Sequence, residues 1–205
     1  IYHGMVRLRN FESLIESPNL FRGRTPAKGK RVCIASTTGG GGAMVVDCLD
    51  ETGIEVISPG LPVAERLAAA KVPYNESKLV DLTIAGTNAE LVDGVIGDLM
   101  QNPNCDLVIM VVGSSARFHP ELAVEPLAKW KNGPKPLAVY LAPDAQESLQ
   151  FLGRAGISAY RTPEACAEGV SAFLNWKNPK PYYEIEINTV ANATSVIDQA
   201  SQNIM

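Results

Sequence analysis

Two histidines and four scattered cysteines are a poor endowment for side-chain catalysis in a chain of 205 residues. So few histidines leave no Ser-His-Asp arrangement to propose, and the dispersed carboxylates offer no paired general acid and base. No catalytic residue is assigned on this ground. Cys33, Cys48, Cys105 and Cys166 show no CxxC spacing, and three of them sit in apolar segments where a free thiol behaves as a small hydrophobe. They are expected to be buried thiols, neither metal ligands nor nucleophiles. No basic run or RNA-binding motif occurs, and a net charge of −4 argues against a nucleic-acid or membrane-surface partner. No uninterrupted apolar run reaches the roughly 18 residues of a membrane span. The start, IYHGMVRLRN, has no hydrophobic signal region, so a cytoplasmic location is expected. The chain opens on Ile1 and not on methionine, as expected of a part of something longer.

What remains is ordinary globular material, 46% hydrophobic and 20% charged, enough for one large domain or one domain with arms. Its most informative stretch is RVCIASTTGGGGAMVVD, residues 31–47. Residues 31–36 are short, apolar and β-branched, as in a parallel strand covered on both faces. Gly39, Gly40, Gly41 and Gly42 are expected to take positive φ and let the backbone approach a ligand, with a helix beginning about Ala43 whose free N–H groups attract anions. This is not a GxGxxG dinucleotide fingerprint, because no acidic residue closes a second strand at the right distance. It is not a P-loop, because the GK[ST] ending is missing.

After an arm over residues 1–30, strand and helix patterns alternate. Strands are expected over 31–36, 55–58, 106–112, 136–141 and 157–160. Helices are expected over 42–52, 63–70, from a capping box at Thr87 and Glu90 to about Asn102, over 120–131, over 143–153, and from Thr162-Pro163 to about Trp176. The tail over 177–205 is polar. Strands alternating with helices of this length require right-handed crossovers, so the fold class is α/β, a doubly wound parallel sheet of flavodoxin-like type. Ligands of such sheets lie beyond the carboxyl ends of the strands, where the glycine loop and Gly113-Ser114-Ser115 both emerge. Arg117 is a candidate for anion contact. His119 is expected to be a surface residue beginning a helix, His3 lies in the arm, and Asp81 is expected to bond its adjacent loop.

The segment IASTTGGGGAMVVDCLDETGIEV resembles the glycine-loop strand and helix of the NDP-forming acyl-CoA synthetases and of the ligase domain of the succinyl-CoA synthetase β subunit. Val80-Asp81-Leu82-Thr83, VIMVVGSSARFHPEL and the connector-like GMVRLRNFESLIE are similar to further segments of the same superfamily. Together they cover most of residues 4–176. The resemblance implies a connector over 1–30, a ligase domain over 31–176 and a tail or linker over 177–205. It also implies a reaction in which acyl-CoA, phosphate and a nucleoside diphosphate yield carboxylate, CoA and a nucleoside triphosphate, through an acyl phosphate and a phosphohistidine. This domain would supply a phosphate or acyl-phosphate site at Thr38, Gly39, Gly40, Gly41, Gly42, Ala43, Gly113, Ser114 and Ser115. No cofactor would be tightly bound; CoA, ATP or ADP, phosphate and a small carboxylic acid would be substrates of the full enzyme. A CoA-binding and phosphohistidine domain and an ATP-grasp domain or subunit would be its partners in an oligomer, and the chain alone would be inactive. Related chains often carry asparagine where Thr38 stands, and Asn-Pro where Lys78-Leu79 stands. A non-catalytic assembly or regulatory module that keeps the fold is the alternative. A free-standing nucleotide or flavin binder is a third reading, and the few aromatics near the loops argue against flavin stacking.

Overall fold

The computed structural model describes residues 4–179, except 75, 76, 84, 86 and 87. In chain order the elements are α1 (Phe11–Glu16), α2 (Pro18–Phe21), β1 (Arg31–Ser36), α3 (Gly39–Asp50), β2 (Glu55–Val56), α4 (Leu61–Ala69), β3 (Leu79–Asp81), α5 (Ala89–Gln101) and β4 (Leu107–Val112). There follow α6 (Ser115–Phe118), α7 (Pro120–Ala123), a 3-10 helix (Glu125–Asn132), β5 (Leu137–Leu141), α8 (Gln146–Ala155), β6 (Ser158–Tyr160) and α9 (Pro163–Asn175). Residues Arg7–Asn175 form one compact unit. Residues 1–6 and 176–205 group separately, and of these 4–6 and 176–179 are described.

All described strand pairs are parallel, in the order β2-β1-β4-β5-β6. β3 pairs with the carboxyl half of the β1 edge whose amino half pairs with β2. The doubly wound α/β sheet anticipated from the alternating pattern is therefore the observed fold. Both faces are covered, which explains why β4 and β5 are buried at every position and read as unbroken apolar runs. Alternate residues Cys33, Ala35, Val108, Met110, Val112 and Val139 pack with Val95, Ile96 and Leu99 of α5 and Val63 and Leu67 of α4. Each of the buried valine, isoleucine, leucine and methionine side chains among them contributes about 1.5–3 kcal/mol. α3 and α9 lie together, and α1 packs on α9.

The arm is held by two carboxylates. Glu168 accepts from the Ser13 hydroxyl at 2.6 Å and from the Arg9 and Asn10 amides. Burial pushes Glu168 up, but these hydrogen bonds outweigh it and leave the carboxyl below its usual range. Glu16 pairs with Arg161 at 2.7 Å, yet burial wins there and raises its carboxyl.

Several boundaries differ from the sequence reading. The helix expected from Gly42 begins at Gly39, so the four glycines form its first turn, and none of Gly39 to Gly42 takes positive φ. β2 is two residues long, not four. α4 begins at Leu61, preceded by Gly60 at φ +94°, a left-handed conformation that glycine adopts without strain. The cap of α5 is Asn88, whose side chain accepts from the Leu91 amide at 3.1 Å; Thr87 lies outside the described residues. The single helix expected over 120–131 is instead α7 followed by a 3-10 helix, preceded by the separate turn α6. His119, before Pro120, is driven out of helical conformation (φ −142°, ψ 62°), and Pro126 removes a donor just where the chain tightens to 3-10 geometry. α8 starts at Gln146, after Ala145, whose φ of −137° and ψ of 89° lie outside the helical region. The Thr162 cap is as expected, its hydroxyl accepting from the Ala165 amide at 3.1 Å.

Candidate functional site

β1 and β4 are adjacent and parallel, so their following turns emerge side by side at the carboxyl edge of the sheet. Ser36, the buried last residue of β1, donates its hydroxyl to the Thr38 carbonyl at 2.6 Å and accepts from the Thr38 amide at 3.1 Å. Thr37 joins the two turns. Its amide donates to the Val111 carbonyl at 2.9 Å, and its hydroxyl accepts from the Gly113 amide at 2.9 Å. A Cβ on Gly113 would stand 3.2 Å from the Thr38 Cβ and 3.3 Å from the Thr37 carbonyl oxygen. Thr38 and Gly113 are thus in contact.

The four glycines divide into two pairs. Gly41 and Gly42 are buried, and a Cβ on either would strike fixed neighbours: Ala142 Cβ at 2.9 Å from Gly41, Ser36 Cβ at 3.0 Å from Gly42. Glycine here lets the α3 axis approach the sheet. Gly40 is exposed, with nothing within 4 Å of where a Cβ would be. Thr38 gives no side-chain cap, and the Gly42 amide, which donates to the Thr38 carbonyl at 3.0 Å, is the first to bond within the helix. The amides before it have no acceptor in the helix and point outward at the positive end of a 12-residue dipole. Ala43 and Met44 follow, exposed, on the outer side of α3.

Asp81 ends β3, in register with Ser36. Its Oδ1 accepts from the Thr83 amide at 2.8 Å and from the Thr83 hydroxyl, the loop bonding expected of it. Its Oδ2 lies 3.3 Å from the position of a Cβ on Gly39. A carboxylate therefore stands beside the first turn of α3, a neighbour that a reading of separate segments does not bring to the glycines.

Ser114 and Ser115 are exposed and half-buried, and Ser114 makes no side-chain cap on α6. Arg117, in the last turn of α6, is exposed. His119 is exposed, 3.9 Å from Glu121; His3 lies outside the described residues. Cys33, Cys105 and Cys166 are buried and Cys48 is half-buried. The Cys33 thiol is pushed well up by its contact with Cys105 and by burial, and Cys166 is pushed up by burial, so neither is a thiolate near neutral pH. Among the described residues no three His, Cys, Asp or Glu side chains gather as a metal would require. No described helix is long and apolar enough to cross a membrane.

Thr37 is the residue that sequence reasoning missed. Its role is to tie one turn to the other across residues 76 apart in the chain, and no local pattern marks it.

No protein-family model matches the chain. Among curated proteins it is 25% identical over 178 residues to the alpha subunit of ADP-forming acetate–CoA ligase II of Pyrococcus furiosus, covering 83% of this chain and 39% of that one. It is 27% identical over 159 residues to the alpha subunit of ligase I of the same organism, covering 75% and 34%. The chain thus spans well under half the length of these relatives. Among solved structures, a Pyrococcus horikoshii OT3 protein matches with a TM-score of 0.69 at 20% identity, over 83% of this chain and 41% of that one. The apo form of dinucleotide-forming acetyl-coenzyme A synthetase 1 of Ca. Korarchaeum cryptofilum matches with a TM-score of 0.69 at 20% identity, over 83% and 38%. The same enzyme in complex with phosphate and ADP matches at 0.67 with the same identity and coverage. The structures share the fold; the two alpha subunits add the likeness of sequence. The chain is similar in sequence to part of the alpha subunits of ADP-forming acetate–CoA ligases, as the resemblance of its motifs to the NDP-forming acyl-CoA synthetases implies, and it shares its fold with the solved structures.

Proposed function

We propose that this chain is the ligase-domain portion of an NDP-forming acyl-CoA synthetase, and that it presents the first turn of α3, with Thr38, Gly39, Gly40, Gly41, Gly42 and Ala43, to a phosphoryl group in transfer. Gly113, Ser114 and Ser115 form the second wall. The observation that carries the reading is the uncapped start of α3, open over Gly40 and locked to the β4 turn by the Thr37–Gly113 hydrogen bond. A dianion held by backbone amides at a helix end needs no lysine, and donors fixed in advance stabilise charge as it develops. Such a donor is worth roughly 3–4 kcal/mol in transfer chemistry.

In this reading the acyl-CoA, phosphate and nucleoside diphosphate are substrates of a larger assembly. A partner domain supplies the phosphohistidine and binds CoA, and an ATP-grasp unit supplies the nucleotide.

Asp81 favours a second reading. A carboxylate within about 4 Å of a bound phosphate opposes it by roughly 1–4 kcal/mol, depending on solvent access. A protein that carries its own anion beside α3 could keep the fold as an assembly module and bind nothing there.

Calorimetric titration of the chain with phosphate and acetyl phosphate separates the two. The synthetase reading expects saturable binding of both, abolished by Gly40→Val and tightened about tenfold by Asp81→Asn. An equally stable chain that binds neither ligand, with or without Asp81, leaves the module reading standing.

A further inference from the structure

Asp81 is fixed at the level where β1 gives way to α3. It pairs with Ser36 across the sheet, and the next amide, that of Leu82, donates to the Ser36 carbonyl at 2.7 Å. The two oxygens of its carboxylate are used unequally. Oδ1 accepts from both the amide and the hydroxyl of Thr83. Oδ2 accepts no hydrogen bond among the described residues, and a Cβ on Gly39 would stand 3.3 Å from it. Gly39 opens α3, three residues ahead of Gly42, whose amide makes the first bond within the helix. An oxyanion drawn to the free amides of that turn therefore meets, beside them, a carboxylate oxygen with no donor of its own.

We infer that Asp81 is a specificity-determining residue, which admits to the start of α3 an oxyanion that carries a proton and turns away one of equal shape and charge that carries none. This role rests on the phosphate site proposed above. An ionised carboxylate can only accept hydrogen bonds, so a ligand oxygen facing Oδ2 must be a donor. Monohydrogen phosphate and sulfate are both tetrahedral dianions. Phosphate keeps a proton near neutral pH and can give it to Oδ2 in a short, charge-assisted hydrogen bond, which offsets the opposition of the two charges. Sulfate has no proton to give, and its bare oxygen meets the carboxylate with repulsion alone. A hydrogen bond to a charged group, made in one complex and missing in the other, is worth about 10- to 100-fold in affinity. Asparagine at this position separates the two oxygens. Its carbonyl keeps an acceptor for Thr83, while its NH2 takes the place of Oδ2 and offers a donor to a bare oxygen.

The test titrates the full chain with inorganic phosphate and with sulfate, by calorimetry at neutral pH and one ionic strength, in the parent and in Asp81→Asn. Asp81 is exposed and the variant keeps the Thr83 contacts, so folding is not at stake. The expected result is a preference for phosphate over sulfate of about tenfold or more in the parent, reduced to about threefold or less in Asp81→Asn because sulfate gains more from the change. Equal affinity of the parent for the two anions overturns the role of Asp81 and leaves the phosphate site intact. So does a tightening of both anions by the same factor in Asp81→Asn, the mark of a bare charge that does not recognise the proton. Absence of phosphate binding by the parent overturns both.

Discussion

The turns after β1 and β4 start alike and end differently. Each leaves a strand buried at its carboxyl end, at the same sheet edge, through small residues, Thr37-Thr38-Gly39 in one and Gly113-Ser114-Ser115 in the other. The first runs into a helix of 12 residues, the second into one of four that halts at His119. A macrodipole needs aligned peptides behind it, so the turn after β1 meets a larger helix dipole than the turn after β4. The β4 turn contributes shape, because Gly113 lets the two backbones come close. Two segments with the same look in sequence therefore differ in what they can do, because proline at 120 truncates one helix and nothing truncates the other.

The sharpest way to probe this asymmetry is to add one methyl group at successive places along it. Gly41→Ala carries the largest expected cost. Its Cβ would meet Ala142 Cβ at 2.9 Å, an atom that cannot rotate away, as well as Thr38 Cγ2 at 2.8 Å. Overpacking of this kind costs about 1–3 kcal/mol, or roughly 2–10 °C in melting temperature for a chain of this size. A melting temperature equal to the parent would mean that α3 does not sit as close to the sheet as its glycines imply.

Ser36→Ala comes next. It removes the hydroxyl that serves both the carbonyl and the amide of Thr38; the carbonyl keeps the Gly42 amide, but the Thr38 amide loses its partner, at a cost of about 1–3 kcal/mol. Phosphate affinity should fall with stability, since the same hydroxyl fixes the residue from which α3 starts. Loss of stability with phosphate binding unchanged would separate the turn's architecture from the site. Gly113→Ala is milder, about 1 kcal/mol, because Thr38 Cβ and the Thr37 carbonyl need yield only a few tenths of an ångström at 3.2 and 3.3 Å. Chemical denaturation resolves the difference, and a cost above that of Gly41→Ala would reverse the ranking of the two turns.

How much of this was visible in the sequence follows from where the information lies. β1, β4 and β5 were legible because strands buried on both faces must be apolar throughout, and the Thr162 cap because it is local chemistry. The first turn of α3 was misread for the opposite reason. Four glycines have low helix propensity, and the nearness of Ala142, Ser36 and Leu79, which explains glycine at Gly41 and Gly42, is invisible in the segment itself. The break in the segment after Pro120 was foreshadowed by Pro126, but Pro120 in a first-turn position reads as the start of a single helix. That both turns meet at one edge followed from strand alternation. That Thr37 joins them and that Asp81 faces Gly39 did not, since each contact depends on strand register, which no single segment encodes.

The smallest effects discriminate best between packing and binding. Ser114→Ala removes a hydroxyl that caps nothing, so stability should stay within about 0.5 kcal/mol of the parent. Gly40→Ala places its methyl in open space within a helix and should raise stability, by up to about 0.5–1 kcal/mol, as the unfolded chain loses backbone freedom. Gly40 is one residue from Gly41, where the same change destabilises. Opposite signs at adjacent glycines, read from paired denaturation curves, would establish that one holds α3 against the sheet while the other keeps its first turn accessible. If Gly40→Ala also weakens phosphate binding while the protein melts higher, glycine at 40 is maintained against the interest of stability, and the reason lies in what approaches that turn.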